Sequence, residues 1–576
     1  MNEEYVLPGT KMVMIDFEGR RLTGANFFCG EPAALVDVQL PADNLDKVLS
    51  RWHDTIEELH TILDRPIPKI GHRLHDKGQS LYFTAPIDAL YSAIELSETA
   101  LLVALGEIQP EQLTESGHQT HVERLMELFE DEARPDLLRL QQQAQLHEVP
   151  FLWDDDLVSL GYGIHSRSWA QDELPDPEEL DWKQHGKIPL AFITGTNGKS
   201  TTTRLCSQIL KAANLTAGFS STDGIWAGEN CLDQGDYSGP GGAREVLRNG
   251  EVDAAILEVA RGGLLRRGVG AEDADVALIT NVAEDHLGEY GVNTLEELIE
   301  AKFIVRKALS STGKLVLNAD DAGIVNFAAG LDQDMVWYSL DRTNAVIEAQ
   351  VDRGETVLFV NKNHLCLMTQ GELVDICPVN EIPITLNGAA RHNISNALAA
   401  SAVCWQLGIK TDFIREGLIT FAGDRHNNPG RGNLLHINNI SIMVDFAHNP
   451  HGLTAVVDTL LQLPARRRLV MLGHAGDRSD DDIQALTRVA MRLNPELVVI
   501  YELEDYLRGR EVGEIPRIIS DTLADGGFAS ECIALASNPV AGTKLALHWA
   551  NEGDFLLLLV LGDRDLVLDL LESRQF

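Results

Sequence analysis

The chain has 576 residues, of which 44% are hydrophobic and 23% charged, and its formal net charge is -40 at pH 7. This composition is typical of a soluble globular protein with several domains. So large an acidic excess repels nucleic-acid phosphate and anionic lipid, which makes nucleic acid and membranes poor candidates as partners.

Cysteine usage and the chain start favour the cytoplasm. The seven cysteines are scattered and include no C-x-x-C pair, so we expect neither a disulfide framework nor a zinc site. The opening sequence M-N-E-E-Y-V-L-P-G lacks the basic flank and apolar run of a signal peptide. The apolar run at 555–561 is far shorter than the ~20 residues that a membrane helix needs.

Composition divides the chain into three regions. Residues 1–183 mix short apolar runs with charged helical segments such as H-V-E-R-L-M-E-L-F-E-D-E-A-R, which predicts an α+β region for acceptor docking or packing. A polar, proline-bearing linker ends this region. In residues 184–426 and 427–576, short apolar strands alternate with helices, which predicts α/β domains with parallel sheets covered on both faces. We expect the last one to be smaller and Rossmann-like.

The stretch I-T-G-T-N-G-K-S-T-T, residues 193–202, follows an apolar strand and opens a helix, as a phosphate-binding loop does. The usual pattern G-x-x-x-x-G-K-[ST] would require a glycine where this chain has Ile193. Lys199 would lie over the outer phosphates of ATP, and the Ser200 hydroxyl would bind Mg²⁺. The other expected nucleotide contacts of the loop are Gly195, Thr196, Asn197, Gly198 and Thr201.

The shortened loop G-T-N-G-K-S-T resembles that of the Mur ligase family, which includes folylpolyglutamate synthases and the C-terminal half of cyanophycin synthetase. Further family motifs follow in order: L-E-V-A-R-G-G-L-L-R-R-G, N-V-A-E-D-H-L-G, A-K-F-I-V, V-L-N-A-D-D, R-H-N-I-S-N-A-L-A-A, N-P-G-R-G-N and V-D-F-A-H-N-P. The first of these, S-T-D-G-I-W before it and E-D-Y-L-R-G-R later resemble cyanophycin synthetase in particular. The resemblance covers about residue 188 to the C-terminus and implies a central P-loop ATPase domain of Mur ligase type.

The resemblance also implies an activity: an ATP-dependent ligase that activates a carboxylate as an acyl phosphate and joins it to the amine of an amino acid. ATP and Mg²⁺ are the implied cofactors. The implied metal ligands are Ser200, Glu258, His286 and Lys302, the last being a carbamate in several relatives, and the implied catalytic residues are Lys199, His286, Lys302 and Arg431. Nucleotide contacts beyond the loop are implied at Asn318, His392, Asn393, Asn396, Arg431 and Asp445.

Taken singly, several of these residues have plainer explanations. A strand-end glutamate, a loop histidine and a helix lysine are more often solvated than bound to a metal, and the residues at 392–396 could cap their helix. The carbamate on Lys302 and its absence are equally good hypotheses at this point.

Substrate residues are expected in two places. The acceptor carboxylate would face Arg261, Arg266 and Arg267, although basic residues after a glycine turn are commonly just exposed. The amino acid would lie near His448, Asn449, Glu504, Asp505, Arg508 and Arg510. Glu504 and Asp505 suit a guanidinium and the two arginines suit a carboxylate, which favours arginine or another basic amino acid. A polar surface loop explains these last four residues equally well.

One module of cyanophycin synthetase has no counterpart in this sequence. That enzyme carries an ATP-grasp ligase ahead of its Mur-like half, and only about 185 residues precede the loop here. The segment D-L-V-S-L-G-Y-G-I-H-S-R, residues 156–167, weakly resembles the start of that module.

Three functional hypotheses follow. The first is a free-standing amide ligase that works beside a separate ATP-grasp protein. The second is a polyglutamylating or cell-wall-type ligase, and the third is a non-catalytic nucleotide-binding subunit. The intact loop and metal residues favour the enzymes. The sequence leaves open the acceptor and the oligomeric state, including a homo-oligomer.

Overall fold

The computed structural model describes residues 17–40, 45–76, 78–114 and 120–573. In these ranges the strands form four sheets, and no helix is both long and apolar enough to cross a membrane. The prediction that residues 1–9 are not a signal peptide lies outside the described residues.

The N-terminal region holds two small antiparallel sheets, one in the order β1-β2-β4-β3 and one in the order β5-β6-β7. Its elements are β1 (Phe17–Leu22), β2 (Ala33–Val38), α1 (Leu45–Ile62), β3 (Ile70–His75), β4 (Gly78–Thr84), α2 (Leu90–Leu105), α3 (His121–Glu132), α4 (Pro135–Leu146), β5 (Phe151–Trp153), β6 (Leu157–Leu160) and β7 (Arg167–Ala170). α1 and α2 cover the larger sheet, and Trp52, Leu96 and Phe83 of β4 belong to the same buried core. This arrangement is the predicted α+β region.

The central domain is built on one large sheet in the order β11-β10-β9-β12-β8-β13-β14-β15-β16-β17-β18. Its elements are β8 (Leu190–Thr194), α5 (Lys199–Ala212), β9 (Ala217–Ser221), β10 (Gly224–Ala227), β11 (Asn230–Asp233), α6 (Pro240–Arg248), β12 (Ala254–Glu258), α7 (Arg261–Arg267), β13 (Ala274–Ile279), α8 (Leu295–Lys302), β14 (Leu309–Asn318), α9 (Ala322–Ala328), β15 (Met335–Ser339), α10 (Ala345–Asp352), β16 (Val357–Asn361), β17 (His364–Thr369), β18 (Glu372–Pro378), α11 (Arg391–Gln406) and α12 (Thr411–Thr420). The strands from β9 to β16 in this order are parallel, and an antiparallel hairpin extends each end.

Both faces of the central sheet are buried, as its continuous apolar strands predict. Successive side chains of a strand point to opposite faces. In β8, Leu190 and Phe192 belong to the core under α6 to α9, whereas Ala191 and Ile193 belong to the core under α5, α11 and α12. The predicted α/β class with a parallel sheet is therefore confirmed.

The C-terminal domain has a second, smaller sheet in the order β19-β20-β24-β21-β22-β23, parallel except for β19. Its elements are β19 (Asn433–Ile437), β20 (Ile440–Asp445), α13 (Pro450–Leu460), β21 (Arg468–Leu472), α14 (Asp480–Met491), β22 (Leu497–Tyr501), α15 (Glu514–Asp525), β23 (Ile533–Ala536), α16 (Pro539–Trp549), β24 (Phe555–Leu559) and α17 (Arg564–Glu572). Helices α13 to α15 cover one face and α16 and α17 the other.

The carboxyl ends of the two parallel sheets face each other. Loops that follow β8, β9 and β13 contact loops that follow β20 and β21 and the start of α17. For example, Nδ2 of Asn449 donates a hydrogen bond to Oδ1 of Asn197 at 3.1 Å. Ligand sites of open parallel sheets lie at this edge, so the cleft between the domains is where the predicted residues can converge. The predicted domain limits at 183/184 and 426/427 stay predictions.

Candidate active site

The phosphate loop joins β8 to α5, and its two glycines are required by the backbone. Gly195 has φ 146° and Gly198 has φ 84°, a region that favours glycine. A Cβ at position 195 would lie 1.9 Å from Oγ1 of Thr280, and one at position 198 would lie 2.3 Å from Oδ1 of Asn396. The loop backbone therefore has no room for side chains at these positions.

Ile193, which stands in place of the usual first glycine, is fully buried in β8 and packs under α5 and α11. Truncating such a side chain to alanine costs roughly 2–5 kcal/mol. The strand therefore continues through this position, and the turn for the phosphates begins only at Gly195.

The segment after β13 holds the loop in shape. The amide of Thr196 donates to the carbonyl of Asn281 at 2.8 Å, and the amide of Asn197 donates to the Asn281 side chain at 3.0 Å. Oγ1 of Thr280 donates back to the Asn197 carbonyl at 2.7 Å. Lys199 lies over the loop, with Nζ 3.0 Å from the carbonyl oxygen of Thr196.

Ser200 and Glu258 lie together at the carboxyl ends of neighbouring strands, and they fit a magnesium ion. Glu258 is 1% exposed, and neither of its carboxylate oxygens has a hydrogen-bond partner among the described residues. Burial raises the pKa of Glu258, against the opposing effects of Lys199, Arg431 and the nearby Ser200 hydroxyl, which lies close without forming a well-aligned hydrogen bond. A buried carboxylate without a partner is costly unless a cation binds it.

Lys302 ends α8 inside the same cleft and is 4% exposed. Burial and then the positive charge of Lys199 lower the pKa of Lys302 well below that of an ordinary lysine. Such a pKa favours the neutral amine, which is the form that reacts with carbon dioxide to give a carbamate. The environment of Lys302 is thus compatible with the predicted modification, which stays a prediction.

A second group of candidate metal ligands comprises Asp285, His286 and His448. One ligand atom from each lies within 4.8 Å of the others, and His448 comes from the C-terminal domain. Carboxylate oxygen and imidazole nitrogen suit several divalent ions. His286 has φ 54°, a strained conformation for a residue other than glycine, which is common at functional sites.

Arg478 of the C-terminal domain reaches into this group. Its Nη1 lies 2.9 Å from Oδ1 of Asp285, and its Nη2 lies 2.6 Å from Nε2 of His286. Burial and the positive charges of Arg478 and Arg261 lower the pKa of His286 to about 4, although Asp285 opposes the shift. Burial alone would raise the pKa of Asp285, but His448, His286 and Arg478 hold it well below its usual range. The pair therefore consists of a neutral imidazole and a carboxylate at neutral pH.

The nucleotide contacts expected outside the loop lie at the same edge. Asn318 is buried and donates to the Thr280 carbonyl at 2.9 Å, so it supports the segment that holds the loop. Asn393 donates to the Ile384 carbonyl at 3.0 Å, and Asn396 donates to Asn393 at 3.1 Å. Nδ1 of His392 is buried without a partner among the described residues, and burial lowers its pKa to about 4. Of these residues, His392 retains an open ring nitrogen for a ligand.

The C-terminal residues expected at the nucleotide also converge on the loop. Arg431 donates from Nη2 to Oγ1 of Thr222 at 2.9 Å, and Thr222 lies 3.2 Å from the Ser200 hydroxyl. Asp445 ends β20 and accepts from the Ala447 amide at 2.7 Å, and burial raises its pKa to about 6. Asn449 caps α13 through the Gly452 amide at 2.8 Å. Thr201, in the first turn of α5, accepts from Nδ2 of Asn428 at 3.3 Å, and Asn428 lies beside Arg431.

Three arginines were expected near the acceptor, and the structure separates them. Arg261 is 8% exposed, bonds the carbonyl of His286 and pairs with Glu289, so its donors support the second metal group. Arg266 is exposed at the end of α7. Arg267, next to it, lines a cavity of about 230 Å³ between the N-terminal region and the central domain.

The residues expected at the amino acid divide similarly. Glu504, Asp505 and Arg508 are exposed on a turn that packs against the loop carrying Arg478, where the Gly476 amide donates to the Tyr506 carbonyl at 2.8 Å. Arg510 instead donates to the carbonyls of Gly476 and Arg478 at 3.0 and 2.5 Å and pairs with Asp480. Arg510 therefore stabilises the loop, and its predicted role in binding a carboxylate is untested.

Several residues of this cleft were missed by sequence reasoning. Arg478 follows β21 in the polar loop G-H-A-G-D-R-S-D-D, a strand-end signal like the ones that were used. Asp285 adjoins the predicted His286, and Thr222 and Asp223 lie inside the motif S-T-D-G-I-W. No local pattern marks Arg204 or Arg564, which reach the cleft from helices α5 and α17.

Two family models match the chain in succession. The Mur ligase middle domain matches residues 193–404, and the Mur ligase glutamate ligase domain matches residues 430–562. The chain belongs to the Mur ligase family. Members of this family are ATP-dependent acid–amino-acid ligases. The predicted recognition is thus confirmed, and the matched residues include the phosphate loop and the loop of Arg478.

The curated relatives include cyanophycin synthetases. Over 334 residues the chain is 34% identical to that of Geminocystis herdmanii (strain PCC 6308), covering 58% of this chain and 38% of that protein. Over 491 residues it is 31% identical to that of Crocosphaera subtropica (strain ATCC 51142 / BH68), covering 83% of this chain and 53% of that protein. The chain therefore spans about half the length of these relatives or less.

Among solved structures, E. coli FolC in complex with DHPP and ADP superposes with a TM-score of 0.51 at 19% identity. The superposition covers 67% of this chain and 89% of the FolC chain. At this identity the match shows the shared fold.

Proposed function

We propose that this Mur ligase family protein joins a carboxylate to the amine of an amino acid at the expense of ATP. The observation that supports this best is the buried Glu258 without a hydrogen-bond partner, beside Ser200 and the phosphate loop. The opposite side of the cleft brings Arg431 and Arg478 from the C-terminal domain to the same edge. This is the charge arrangement that phosphoryl transfer requires.

The proposed reaction has two steps because a carboxylate does not react directly with an amine in water. An oxygen of the acceptor carboxylate attacks the γ-phosphorus of ATP, and ADP leaves. The neutral amine then attacks the carbonyl carbon of the acyl phosphate, and inorganic phosphate leaves through a tetrahedral intermediate. These steps need positioned charges rather than a side-chain nucleophile.

The residues of the cleft have distinct proposed roles. Lys199 and the amides of the loop hold the β- and γ-phosphates, and Arg431 offsets the charge that moves during transfer. Bound Mg²⁺ would offset phosphate charge, and Ser200 with Glu258 would hold it. A second ion would be held by His286 together with Asp285, His448 or a carbamate on Lys302. Arg478 orients Asp285 and His286 from the other domain.

An anionic acceptor is supported by the cavity at the junction of the N-terminal region and the central domain. Arg267 and Arg244 line it, and neither forms an ion pair with a carboxylate among the described residues. The two carboxylates in its lining, Asp154 and Asp155, are paired with Arg248 and Arg21. Arg244 donates only to Thr23 at 3.3 Å, and Arg267 donates to the Arg21 carbonyl at 3.5 Å. We infer that carboxylates of the acceptor, a peptide or polymer end, dock here while its reacting carboxylate lies near the other end of α7.

A basic amino acid, such as arginine, is the proposed amine substrate. Glu504 and Asp505 are exposed, and their turn packs on the loop that holds Arg478. Carboxylates in this place would attract a guanidinium or ammonium side chain toward the cleft. Arg508, exposed on the same turn, is the residue left to hold the carboxylate of the amino acid.

The proposal assigns one ligation to this protein. We propose that a separate ATP-grasp protein supplies any second ligation. The segment between α4 and β8, residues 147–189, holds only a three-stranded sheet and short turns. We expect the reaction to take place in the cytoplasm, where ATP is made.

The test is phosphate release from Mg-ATP with a panel of amino acids and acidic peptides. We expect release that depends on both substrates, with arginine or lysine preferred over glutamine, and loss of this release in Lys199→Ala. Glu504→Gln with Asp505→Asn should reduce the preference for basic amino acids. No substrate-dependent release with any pair, and a Lys199→Ala variant equal to wild type, would overturn the enzyme proposal and leave a nucleotide-binding subunit.

A further inference from the structure

The motif S-T-D-G-I-W forms a tight turn at the phosphate loop, and its aspartate has no role in the reaction described above. Thr222 and Asp223 join the antiparallel strands β9 and β10, with Ser221 paired to Gly224. The Asp223 side chain is 7% exposed. A carboxylate buried to this degree needs partners of opposite charge.

Three guanidinium groups surround Asp223. Arg204, on α5, places Nη2 3.5 Å from Oδ2 of Asp223. Arg431 places Nε 3.7 Å from the same oxygen, and Arg564, at the start of α17, places Nη1 2.5 Å from Oδ1. Although burial opposes it, these arginines hold the pKa of Asp223 below its usual value.

The cluster joins two domains and contains more positive than negative charge. Asp223 and Arg204 belong to the central domain, whereas Arg431 and Arg564 belong to the C-terminal domain. Arg204 also lies over the rings of Phe219 and Trp226, at 5.5 and 5.6 Å from their centroids. Asp223 lies within 4 Å of all three guanidinium groups, and without it they would repel each other across the domain interface.

Arg431 links this cluster to the phosphate loop. While its Nε faces Asp223, its Nη2 donates to Thr222 at 2.9 Å, and Thr222 lies 3.2 Å from the Ser200 hydroxyl. Nε of Arg431 has no hydrogen-bond partner among the described residues, so Asp223 attracts it through charge, and the guanidinium keeps donors to offer to phosphate. The charge of Asp223 thus favours a position of Arg431 close to Ser200.

We propose that Asp223 is a positioning residue of the ligase, which binds Arg431 and Arg564 of the C-terminal domain and so holds Arg431 beside the phosphate loop. Arg204 fixes the Asp223 carboxylate from the central domain. The benefit for catalysis rests on the proposed function, whereas the contact between the domains can be measured without turnover.

The experiment uses the full chain and five variants: Asp223→Asn, Asp223→Glu, Arg564→Gln, the double variant that combines Asp223→Asn with Arg564→Gln, and the control Asp565→Asn. Asp565 is 59% exposed and lies 3.5 Å from Nε of the same Arg564, so the control removes a nearby charge but not the buried contact. Small-angle X-ray scattering gives the radius of gyration, calorimetry gives the Kd for Mg-ADP, and phosphate release gives kcat.

We expect kcat of Asp223→Asn to fall roughly 100-fold, as misplacement of a charged group does, with an unchanged Kd for Mg-ADP. Asp223→Glu should restore part of the rate, since it keeps the charge. The radius of gyration should rise in Asp223→Asn and Arg564→Gln but not in Asp565→Asn. Because both residues act through one contact, the double variant should lose no more rate than Asp223→Asn alone.

Three results would overturn the proposal. One is a wild-type kcat and radius of gyration in Asp223→Asn. Another is a double variant whose fold decrease in kcat equals the product of the decreases in Asp223→Asn and Arg564→Gln. The third is an equal loss in Asp223→Asn and Asp223→Glu together with a lowered Tm, which would indicate folding alone. If no substrate pair supports turnover, or if Asp223→Asn does not fold, scattering of Arg564→Gln decides whether the contact holds the domains.

Discussion

The two facing edges of this cleft differ in how their charged groups are satisfied. On the central edge, Glu258 is buried without a hydrogen-bond partner, and burial lowers the pKa of Lys302. The C-terminal edge supplies Arg478, which pairs with Asp285 of the central domain, and Arg510, which pairs with Asp480 of its own domain. The central edge therefore holds charges that need a cation, phosphate or modification, whereas the C-terminal edge supplies cations already oriented by carboxylates. In the proposed function, the central edge binds the metal ion and the phosphates, and the C-terminal edge adds the arginines that complete the site.

The difference is tested most strongly at Glu258. Replacing it with glutamine should lower kcat roughly 1,000-fold, because the variant removes the charge of the proposed magnesium ligand. The same variant should unfold at a higher temperature than wild type at pH 7 without Mg-ATP. Burial raises the pKa of Glu258 in the folded protein, so the ionised carboxylate destabilises the fold at pH values above the pKa that Glu258 has in the unfolded chain. The difference in stability between the variant and wild type should therefore shrink as the pH falls.

Thermal unfolding with and without Mg-ATP, alongside the rate, measures both effects. Glu300→Gln, an exposed change on α8, is the control and should alter neither. A Glu258→Gln variant that is active, or that is less stable than wild type without ligand, would show that Glu258 does not require a bound cation.

The second test concerns Lys302. Lys302→Ala should lower kcat roughly 100-fold if the buried lysine contributes a metal-binding carbamate. Wild-type enzyme depleted of bicarbonate should lose rate and regain it when bicarbonate is added, because the lowered pKa keeps the amine reactive. Lys211→Ala, in an exposed pair with Glu229, should respond like wild type. A rate independent of bicarbonate, with no carbamate in the intact mass, would contradict the modification.

The third test concerns the C-terminal edge. Arg478→Gln should lower kcat/KM roughly 10–100-fold by releasing Asp285 and His286 from their orientation. It should also shift the pH profile. In wild type, burial and then Arg478 keep the pKa of His286 at about 4, so the imidazole stays neutral at neutral pH. Without Arg478 that pKa rises, and the acid limb of the profile should move to higher pH.

The measurement is kcat/KM between pH 4 and 8, an interval that includes the ordinary histidine pKa of about 6.5. Arg488→Gln, an exposed change on α14, is the matched control. An acid limb at the wild-type position in Arg478→Gln would mean that the arginine does not set the charge state of His286.

The smallest expected effect lies outside both edges, at the cavity beside the N-terminal region. Arg267→Gln with Arg244→Gln should raise KM for an acidic acceptor roughly tenfold, since charge contacts that solvent can reach contribute little each, and only Arg244 of the two is half-buried. KM for ATP should stay unchanged. Arg353→Gln, exposed elsewhere in the central domain, is the control. An equal rise in KM for ATP would show a general loss of structure rather than a lost acceptor contact.

Much of the central edge could be predicted from the sequence. Ser200, Glu258 and His286 each lie at or just beyond the end of an apolar strand, and parallel strands bring such ends to one edge. Ile193 is instructive because the strand continues through this buried position, so the turn begins only at Gly195.

The C-terminal edge was harder to predict. Asp223 and Arg564 are 341 positions apart, and their contact depends on how two separately folded sheets meet. No periodicity within either segment carries that information. Likewise, the spacing in E-D-Y-L-R-G-R does not reveal that Arg510 is used by the backbone of its neighbouring loop while Glu504 and Asp505 stay exposed.

The central claim is that the acceptor carboxylate is activated by phosphorylation, and isotope transfer tests it directly. An acceptor labelled with ¹⁸O in its carboxyl group is incubated with Mg-ATP and the amino acid that supports phosphate release. We predict one labelled oxygen in the inorganic phosphate for each amide formed, measured by mass spectrometry. Amide formation that leaves the phosphate unlabelled would contradict the account.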